Sequence, residues 1–364
     1  MKQLLILILL ALCLSLGAQY NERQILYQQA SQLLTQRQYS EAETLFLQLL
    51  EKYPDDLSSI QQLMQIYLSL SLAEKAETLL SKHQRSIPPN TFTEMRLQVL
   101  IMKGFLDDAS REAEAYLQLV NHDINKYRMI GSFFERRAFF DYSLALYQQA
   151  RTWHKNPGLF SLEIANAAMQ GRNFPIAVTE YLSYLAANPG MSPFVKNQLR
   201  SIVYEDSTMA DIVSGIAQST DSAVVRELYA SVLVALKDYE SALDIYKSLA
   251  SNYLIDFASE QKRLGNDTIA MQAYGYLGDT ADKPLQRFEF RMEQAKLLFR
   301  QAQYDSTIAV LDTLIYDPYW NQNPHLSKSR LNMEMRKLRA EASMANREDV
   351  SIARKWLEEA KYHS

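Results

Sequence analysis

Apolar residues recur along this chain at the spacing of amphipathic helices, in paired segments that a short polar turn separates. In the first pair, Leu26, Ala30 and Leu33 fall three or four residues apart, and Ala42 and Phe46 repeat that spacing beyond the turn. Residues at this spacing share one face of a helix. Each segment therefore predicts a helix that buries one face, and each pair predicts a helical hairpin.

The hairpins repeat with a nearly constant length. Pro54 and Pro88, which close the first two, lie 34 residues apart (88 − 54). A fixed period of roughly 20 to 50 residues is typical of solenoids, in which each unit stacks on the next. Two serines, each followed by Glu three residues later, predict capping boxes for the second helices of these hairpins: Ser40 with Glu43, and Ser71 with Glu74.

The repeat is irregular between residues 191 and 222. Helical spacing persists there, in Phe194, Leu199 and Val203, but the aromatic residue that precedes the second helix in other units is missing. We therefore interpret 191–222 as a degenerate hairpin. It separates an N-terminal array over 19–190, of about five repeats, from a C-terminal array over 223–364.

Small and aromatic residues recur at matching positions of the units. The first unit has Ala30 in its first helix, Tyr39 before its second, and Ala42 and Phe46 within the second. The fifth unit has the matching residues Ala165, Phe174, Ala177, Tyr181 and Pro189. In this pattern the chain resembles tetratricopeptide repeat (TPR) proteins. The resemblance implies an all-α solenoid of about nine to ten stacked hairpins that form a right-handed superhelix.

The first 18 residues have the organisation of a secretory signal peptide. Lys2 is followed by an apolar run over Leu4–Leu16, and Gly17 and Ala18 supply the small residues at its end. Such a segment is removed on export. We predict cleavage after Ala18, which leaves a mature chain of 346 residues (364 − 18) without Cys. This favours the periplasm or the periplasmic face of the outer membrane.

An alternative is a lipoprotein signal whose acylated residue is Cys13. Leu12, immediately before Cys13, is bulky where a small residue is expected in such signals. Lipidation of this cysteine is therefore disfavoured.

Composition and motifs argue against a nucleic-acid reader and against an enzyme. The 364-residue chain carries 38 Lys and Arg against 42 Asp and Glu, a net charge of −4, whereas nucleic-acid binding needs a cationic surface. The five His are scattered singly, and no nucleophile elbow, phosphate-binding loop or metal-ligand motif occurs. We therefore predict no catalytic, cofactor or metal site.

The TPR resemblance implies a concave groove lined by the first helix of each hairpin. Seven residues in that register are candidate partner contacts: Gln24, Tyr27, Gln61, Gln65, Gln98, Arg128 and Asn166. This amide-rich lining suits the backbone of an extended peptide, because amides both donate and accept hydrogen bonds. The positions at which some TPR proteins hold a C-terminal carboxylate carry no cation here: Tyr27, Ser31, Gln62, Thr91 and Met95.

The C-terminal region adds two further candidates. A helix predicted from about Leu326 to Ala345 carries five cations: Lys328, Arg330, Arg336, Lys337 and Arg339. They form either a solvated helix surface or a docking face, whose partner would be an acidic protein or an anionic lipid. The stretch Tyr316–Pro324 precedes this helix and contains Trp320. We predict a loop here, which either packs its Trp over the last hairpin or forms a contact surface.

Together these features predict a non-enzymatic exported scaffold that binds a protein or peptide partner in the bacterial cell envelope, with no transmembrane segment in the mature chain. One alternative is a lipid-anchored TPR subunit of an outer-membrane protein assembly or secretion complex. A second alternative is a carbohydrate-binding or enzymatic module built around Trp320.

Overall fold

The computed structural model describes residues 22–323, 326, 329–348 and 350–362, and the regular structure within these ranges is helical. The predicted signal peptide with Cys13, and Lys328 of the candidate docking face, lie outside them. Every described helix is too short or too polar to cross a membrane. The helices are α1 (22–35), α2 (Tyr39–Lys52), α3 (Leu57–Ser69), α4 (Ala73–His83), α5 (Pro89–Lys103), α6 (Leu106–Leu119), α7 (Ile124–Glu135), α8 (Phe140–His154), α9 (Ser161–Gln170), α10 (Phe174–Ala187), α11 (Ser192–Glu205), α12 (Met209–Gln218), α13 (Ala223–Ala235), α14 (Tyr239–Lys247), α15 (Ser251–Leu264), α16 (Asp267–Thr280), α17 (Pro284–Arg300), α18 (Tyr304–Ile315), α19 (Tyr319–Gln322), α20 (Arg330–Ala345) and α21 (Val350–Tyr362).

These helices follow one another in pairs, from α1 and α2 to α17 and α18, and then α20 with α21 after the short α19. The first member of each pair corresponds to the first helix of a predicted hairpin. The prediction of an all-α repeat of helical hairpins is therefore confirmed over the described ranges. The interval 191–222, which we interpret as a degenerate hairpin, contains α11 and α12.

The chain divides into two compact units, unit 1 and unit 2, between Ala177 and Val178, inside α10. In unit 1, α3 packs on α2 and α4, and α5 packs on α4 and α6. In unit 2, α13 packs on α11, α12 and α14, and α16 packs on α15 and α17. Each of these helices contacts its neighbours on both sides, because one hairpin alone cannot bury its apolar face.

Small and aromatic side chains together form the core of unit 1. Ala30, Ala42 and Phe46 have no exposed surface, and the Phe46 ring meets the Tyr27 ring edge-on at a centroid distance of 5.7 Å. Small residues let neighbouring helices approach closely, and aromatic rings fill the space between hairpins. Branched aliphatic residues complete this core: Leu49, Ile60, Leu63, Ile66 and Leu80.

Two apolar clusters among the described residues of unit 2 contain stacked aromatic rings. In one, the Tyr246 and Phe257 rings stack at a centroid distance of 4.7 Å. In the other, Trp320 stacks on Phe288 at 4.9 Å, and its indole Nε1 donates a 2.8 Å hydrogen bond to the Leu314 carbonyl. Trp320 is 6% exposed, so it is a core residue whose ring has no open face for a sugar. The structure thereby removes the basis of the carbohydrate-binding alternative.

Ion pairs join the first helix of one hairpin to that of the next. Lys126 Nζ lies 2.6 Å from Glu94 Oε1, and Arg128 Nε lies 2.7 Å from Glu163 Oε1. The same kind of pair recurs at or beside other first helices: Arg23–Asp56, Lys196–Glu227 and Lys262–Glu293. Partners in these pairs are 31 to 35 residues apart, close to the repeat length. Each pair therefore links two successive hairpins at the spacing of the repeat.

The helix starts differ from the predicted capping boxes. α2 begins at Tyr39 and α4 at Ala73, and neither N-terminus has a side-chain cap. Arg37 and Ser71 instead adopt left-handed backbone conformations, with φ of 59° and 57°, and backbone hydrogen bonds across each turn close the preceding helix. The prediction of Ser40 and Ser71 as N-caps is wrong, because each turn is held by its backbone and the next helix starts at once.

Candidate functional site

A concave pocket of about 570 Å³ lies on the first helices of unit 1. It forms where α5 packs between α3 and α7, so three successive hairpins contribute one helix each. Its volume is within the range of roughly 300–1,000 Å³ that is typical of ligand sites. The lining residues are Gln61, Met64, Gln65, Leu68, Ser69, Ser71, Met95, Gln98, Phe133, Arg136 and Arg137.

Amide side chains form the wall of this pocket, and apolar side chains form its floor. The structure brings three predicted groove residues together here, Gln61 and Gln65 from α3 and Gln98 from α5. Met64 and Met95 lie among them and are buried. The amides can pair with a peptide backbone, and methionine adapts its shape to different apolar groups.

Two arginines complete the pocket at the end of α7. Arg137 reaches back across one hairpin, where its Nη1 donates to Ser71 Oγ and its Nη2 donates to the Leu68 carbonyl, both at 2.8 Å. The Arg136 guanidinium lies 5.1 Å from the centroid of the Phe133 ring, within the range of a cation–π interaction. Within the described part of the chain, neither arginine forms an ion pair with a carboxylate.

The other predicted groove residues lie outside this pocket. Gln24 and Tyr27 line a separate hollow of about 190 Å³ near the start of unit 1. Arg128 is held in its ion pair with Glu163, and Asn166 is half-buried in α9. The seven candidates therefore do not form one continuous site.

Sequence reasoning missed Arg136 and Arg137. The pair follows Glu135, the last residue of α7, which places it in the turn of the fourth hairpin. The sequence does not reveal that Arg137 contacts the Leu68 carbonyl, 69 residues earlier. A contact between hairpins two apart depends on how closely the hairpins of unit 1 stack, which no local pattern encodes.

A buried tyrosine joins α7 to α8 beside these residues. Tyr147 is 1% exposed, and its hydroxyl donates a 2.9 Å hydrogen bond to Glu135 Oε1. Burial raises the pKa of the Glu135 carboxyl; the hydrogen bond from Tyr147 opposes this, and the Glu163 carboxylate adds to it. The ionised form of Glu135 is therefore less favourable in the folded chain than in the unfolded chain.

We expect Glu135→Gln to gain stability relative to the wild type as pH rises. Because the folded-state pKa of Glu135 is raised, its stabilising contribution is full below the ordinary Glu pKa of about 4.3 and is lost as pH rises through the folded-state value. Gln keeps an acceptor for the Tyr147 hydroxyl without the charge. Urea denaturation of both proteins from about pH 4 to pH 7 measures the difference, and a difference that stays constant contradicts the raised pKa.

Unit 2 has its own pocket, of about 460 Å³, lined mainly by α11, α13 and α15. Its charged lining is mostly acidic, since Glu227, Asp256 and Glu260 face it together with Lys196. Glu227 is buried and pairs with Lys196. Burial raises the pKa of Tyr246, which also lines this pocket, and the Glu227 and Glu260 carboxylates raise it further. This pocket therefore differs in charge from the pocket of unit 1.

The predicted basic docking face is not one exposed surface. α20 begins at Arg330 rather than near Leu326, and it packs on both α18 and α21. Because of this packing, Arg339 is only 6% exposed. Its guanidinium forms ion pairs with Asp312 at 2.8 Å and with Glu348 at 3.0 Å. Arg339 therefore serves an internal contact.

Arg336 lies in the same packed region. Its Nε is 3.4 Å from Glu359 Oε2 on α21, and burial lowers the pKa of its guanidinium, against the opposing effect of Glu359. Arg330 and Lys337 are exposed. The structure thus separates the described members of the predicted face into two internal and two surface cations.

Buried histidines of unit 1 make structural contacts. His83 Nδ1 lies 2.9 Å from the Pro54 carbonyl oxygen, and His122 Nδ1 lies 2.7 Å from the Tyr127 hydroxyl. Both rings are buried. Over the described ranges, no three His, Cys, Asp or Glu side chains are grouped as a metal site.

The described residues form paired helices with a recurring set of small and aromatic core residues and with ion pairs at the repeat spacing. The chain is a helical-repeat protein. No protein-family profile and no curated protein matches its sequence.

Among solved structures, this helical-repeat protein is similar to the C-terminal part of a TPR repeat-containing protein from Cytophaga hutchinsonii, with a TM-score of 0.37 and 12% identity over 74% of this chain and 95% of that one. It is also similar to Naa15/Naa10 bound to HypK-THB (TM-score 0.30, 15% identity, 94% of this chain and 58% of that one). The P58(IPK) TPR domain gives a TM-score of 0.24 and 15% identity, over 94% of this chain and 98% of that one.

Proposed function

We propose that this helical-repeat protein is a non-enzymatic, exported scaffold that binds a protein partner in the bacterial cell envelope. The observation that carries the proposal is the unit 1 pocket, in which α3, α5 and α7 present amide side chains above an apolar floor. Amides pair with a peptide backbone, and the floor of Met64, Met95 and Phe133 accepts apolar side chains. These are the two contacts that an extended peptide needs.

The pocket is also supported by a fixed framework. Lys126 ties α7 to Glu94 of α5, and Arg128 ties α7 to Glu163 of α9. A groove whose helices are already held in register orders fewer groups on binding, so more of the contact energy appears as affinity. A scaffold of this kind binds without first rearranging its helices.

Export is the part of the proposal that rests on residues 1–18. We expect the mature protein from envelope fractions to begin at Gln19, because Gly17 and Ala18 end an apolar run of signal-peptide length. Mass spectrometry of the N-terminal peptide measures this directly. A chain that begins at an acylated Cys13 supports the lipid-anchored alternative instead, and a chain that retains Met1 in the cytoplasmic fraction contradicts export.

Partner capture tests the binding function. We expect Gln65→Trp, which fills the pocket from α3, to reduce the recovery of crosslinked partner from envelope fractions by about tenfold, a loss of about 1.4 kcal/mol. Gln118→Trp is the matched control, because Gln118 is an exposed amide on α6 outside the pocket lining. Equal recovery with both variants, or no partner with the wild type, contradicts the proposed function.

A further inference from the structure

The lining of the unit 1 pocket carries two arginines that form no ion pair with a described carboxylate. These are Arg136 and Arg137, the charged members of the lining. Other cations of α7 are paired, as in Lys126–Glu94. The whole chain has a net charge of −4, so the cationic pocket is a local arrangement rather than a result of composition.

Arg137 keeps N–H donors for a ligand. Its guanidinium has five N–H donors, and Nη1 and Nη2 each donate to a neutral oxygen, the Ser71 hydroxyl and the Leu68 carbonyl. Each of these nitrogens has a second N–H, and the planar guanidinium matches the two oxygens of a carboxylate. The two hydrogen bonds therefore hold Arg137 in the pocket lining, where its remaining N–H groups can pair with a carboxylate that enters the pocket.

The exposed Arg136 provides a second positive charge next to the first. Its guanidinium lies over the Phe133 ring, which orients the charge and leaves its N–H groups available to a ligand. The adjacent floor of Met64, Met95 and Phe133 is apolar. The site thus combines two cations with an apolar surface, and it calls for a ligand that has both an anionic and an apolar part.

We propose that this pocket binds an internal acidic segment of the protein partner, in which an Asp or Glu side chain has apolar neighbours. The carboxylate pairs with Arg136 and Arg137, and the apolar neighbours pack on the floor. The amides of Gln61, Gln65 and Gln98 pair with the backbone of the segment, a contact that a free anion does not use. The inference rests on the proposed function, because it specifies the chemistry of the partner that the scaffold binds.

Binding of blocked peptide pools tests this specificity. The probes are fluorescent nonapeptides, acetylated and amidated so that no terminal carboxylate contributes, with Glu, Gln or Lys fixed at the centre and apolar-rich random flanks. On the wild-type mature chain at low salt, we expect the Glu pool to bind about tenfold more tightly than the Gln pool. Added salt weakens this preference, since it screens exposed charges.

Variants of the two arginines separate the charge contact from general peptide binding. We expect the double variant Arg136→Gln, Arg137→Gln to bind the Glu and Gln pools equally. Arg136→Gln alone halves the positive charge without removing the Arg137 hydrogen bonds, so it reduces the preference even if the double variant is unstable. Arg111→Gln, which removes an exposed cation of α6, is the control that keeps the preference.

Three outcomes overturn the proposal. The first is a Glu preference that persists in the double variant, and the second is equal affinity of the wild type for the Glu and Gln pools. The third is displacement of the Glu pool by equimolar inorganic phosphate, because it indicates a site for free anions. Equal affinity for the Glu and Gln pools removes the acidic specificity and leaves the scaffold function standing. The scaffold function itself fails separately, when Gln65→Trp leaves partner recovery unchanged.

Discussion

Phe46→Ala is expected to lower the free energy of unfolding by about 3 kcal/mol, because it removes a fully buried ring from the core that α2 shares with α1 and α3. The loss includes the edge-on contact with Tyr27. Urea denaturation of the full chain measures the loss of unfolding free energy. Faster amide hydrogen exchange in α1–α4 locates this loss in unit 1.

The neighbouring residue supplies the control for this prediction. Leu47 is 40% exposed, so Leu47→Ala on the same helix is expected to cost less than about 1 kcal/mol. If both variants unfold at the same urea concentration, the packing of α2 against its neighbours is not what stabilises this part of the chain.

Gly131→Ala is expected to destabilise the protein by about 2 kcal/mol, although alanine is the better helix former. A Cβ at position 131 in α7 would lie 2.3 Å from the Tyr147 hydroxyl oxygen and 2.4 Å from its Cζ. Tyr147 is buried on all sides, so its ring must shift to admit the methyl group. Thermal and urea denaturation measure the loss.

A double-mutant cycle assigns this loss to the contact between α7 and α8. Tyr147→Leu removes the ring and its hydrogen bond to Glu135 with or without the change at Gly131, so the lost hydrogen bond cancels in the cycle. The combined loss is expected to be smaller than the sum of the single losses by about 1–2 kcal/mol. Gly215→Ala is the control, because a Cβ at Gly215 in α12 has no atom within 4 Å other than those of its chain neighbours and its own helix backbone. It should raise stability by about 0.5–1 kcal/mol.

The repeat and its core followed from the sequence because both are local. Ala42 and Phe46 are buried at the positions where the helical spacing and the TPR pattern place them. Tyr181 of the fifth predicted repeat is buried as well, and burial raises the pKa of its hydroxyl to about 12. Spacing of three and four residues determines which face of a helix is apolar, so one hairpin suffices to predict its own core.

Features that depend on contacts between hairpins did not follow from the sequence. Ser71 carries the pattern of an N-cap, but its hydroxyl accepts a hydrogen bond from Arg137 two hairpins later. Arg339 carries the pattern of a solvated cation, but the packing of α20 buries it between Asp312 and Glu348. Arg137, Asp312 and Glu348 lie 66, 27 and 9 residues from the side chains that they contact, beyond the three- and four-residue spacing of a helix face.

The central claim, that the first helices of unit 1 bind a protein partner, is tested most directly by photo-crosslinking from inside the pocket. A benzophenone amino acid replaces Gln65 in one variant and the exposed Gln118 of α6 in another, and both are irradiated in intact cells. We expect a discrete crosslinked species from position 65 in the envelope fraction that is absent from position 118. The same species from both positions, or none from position 65, contradicts the central claim.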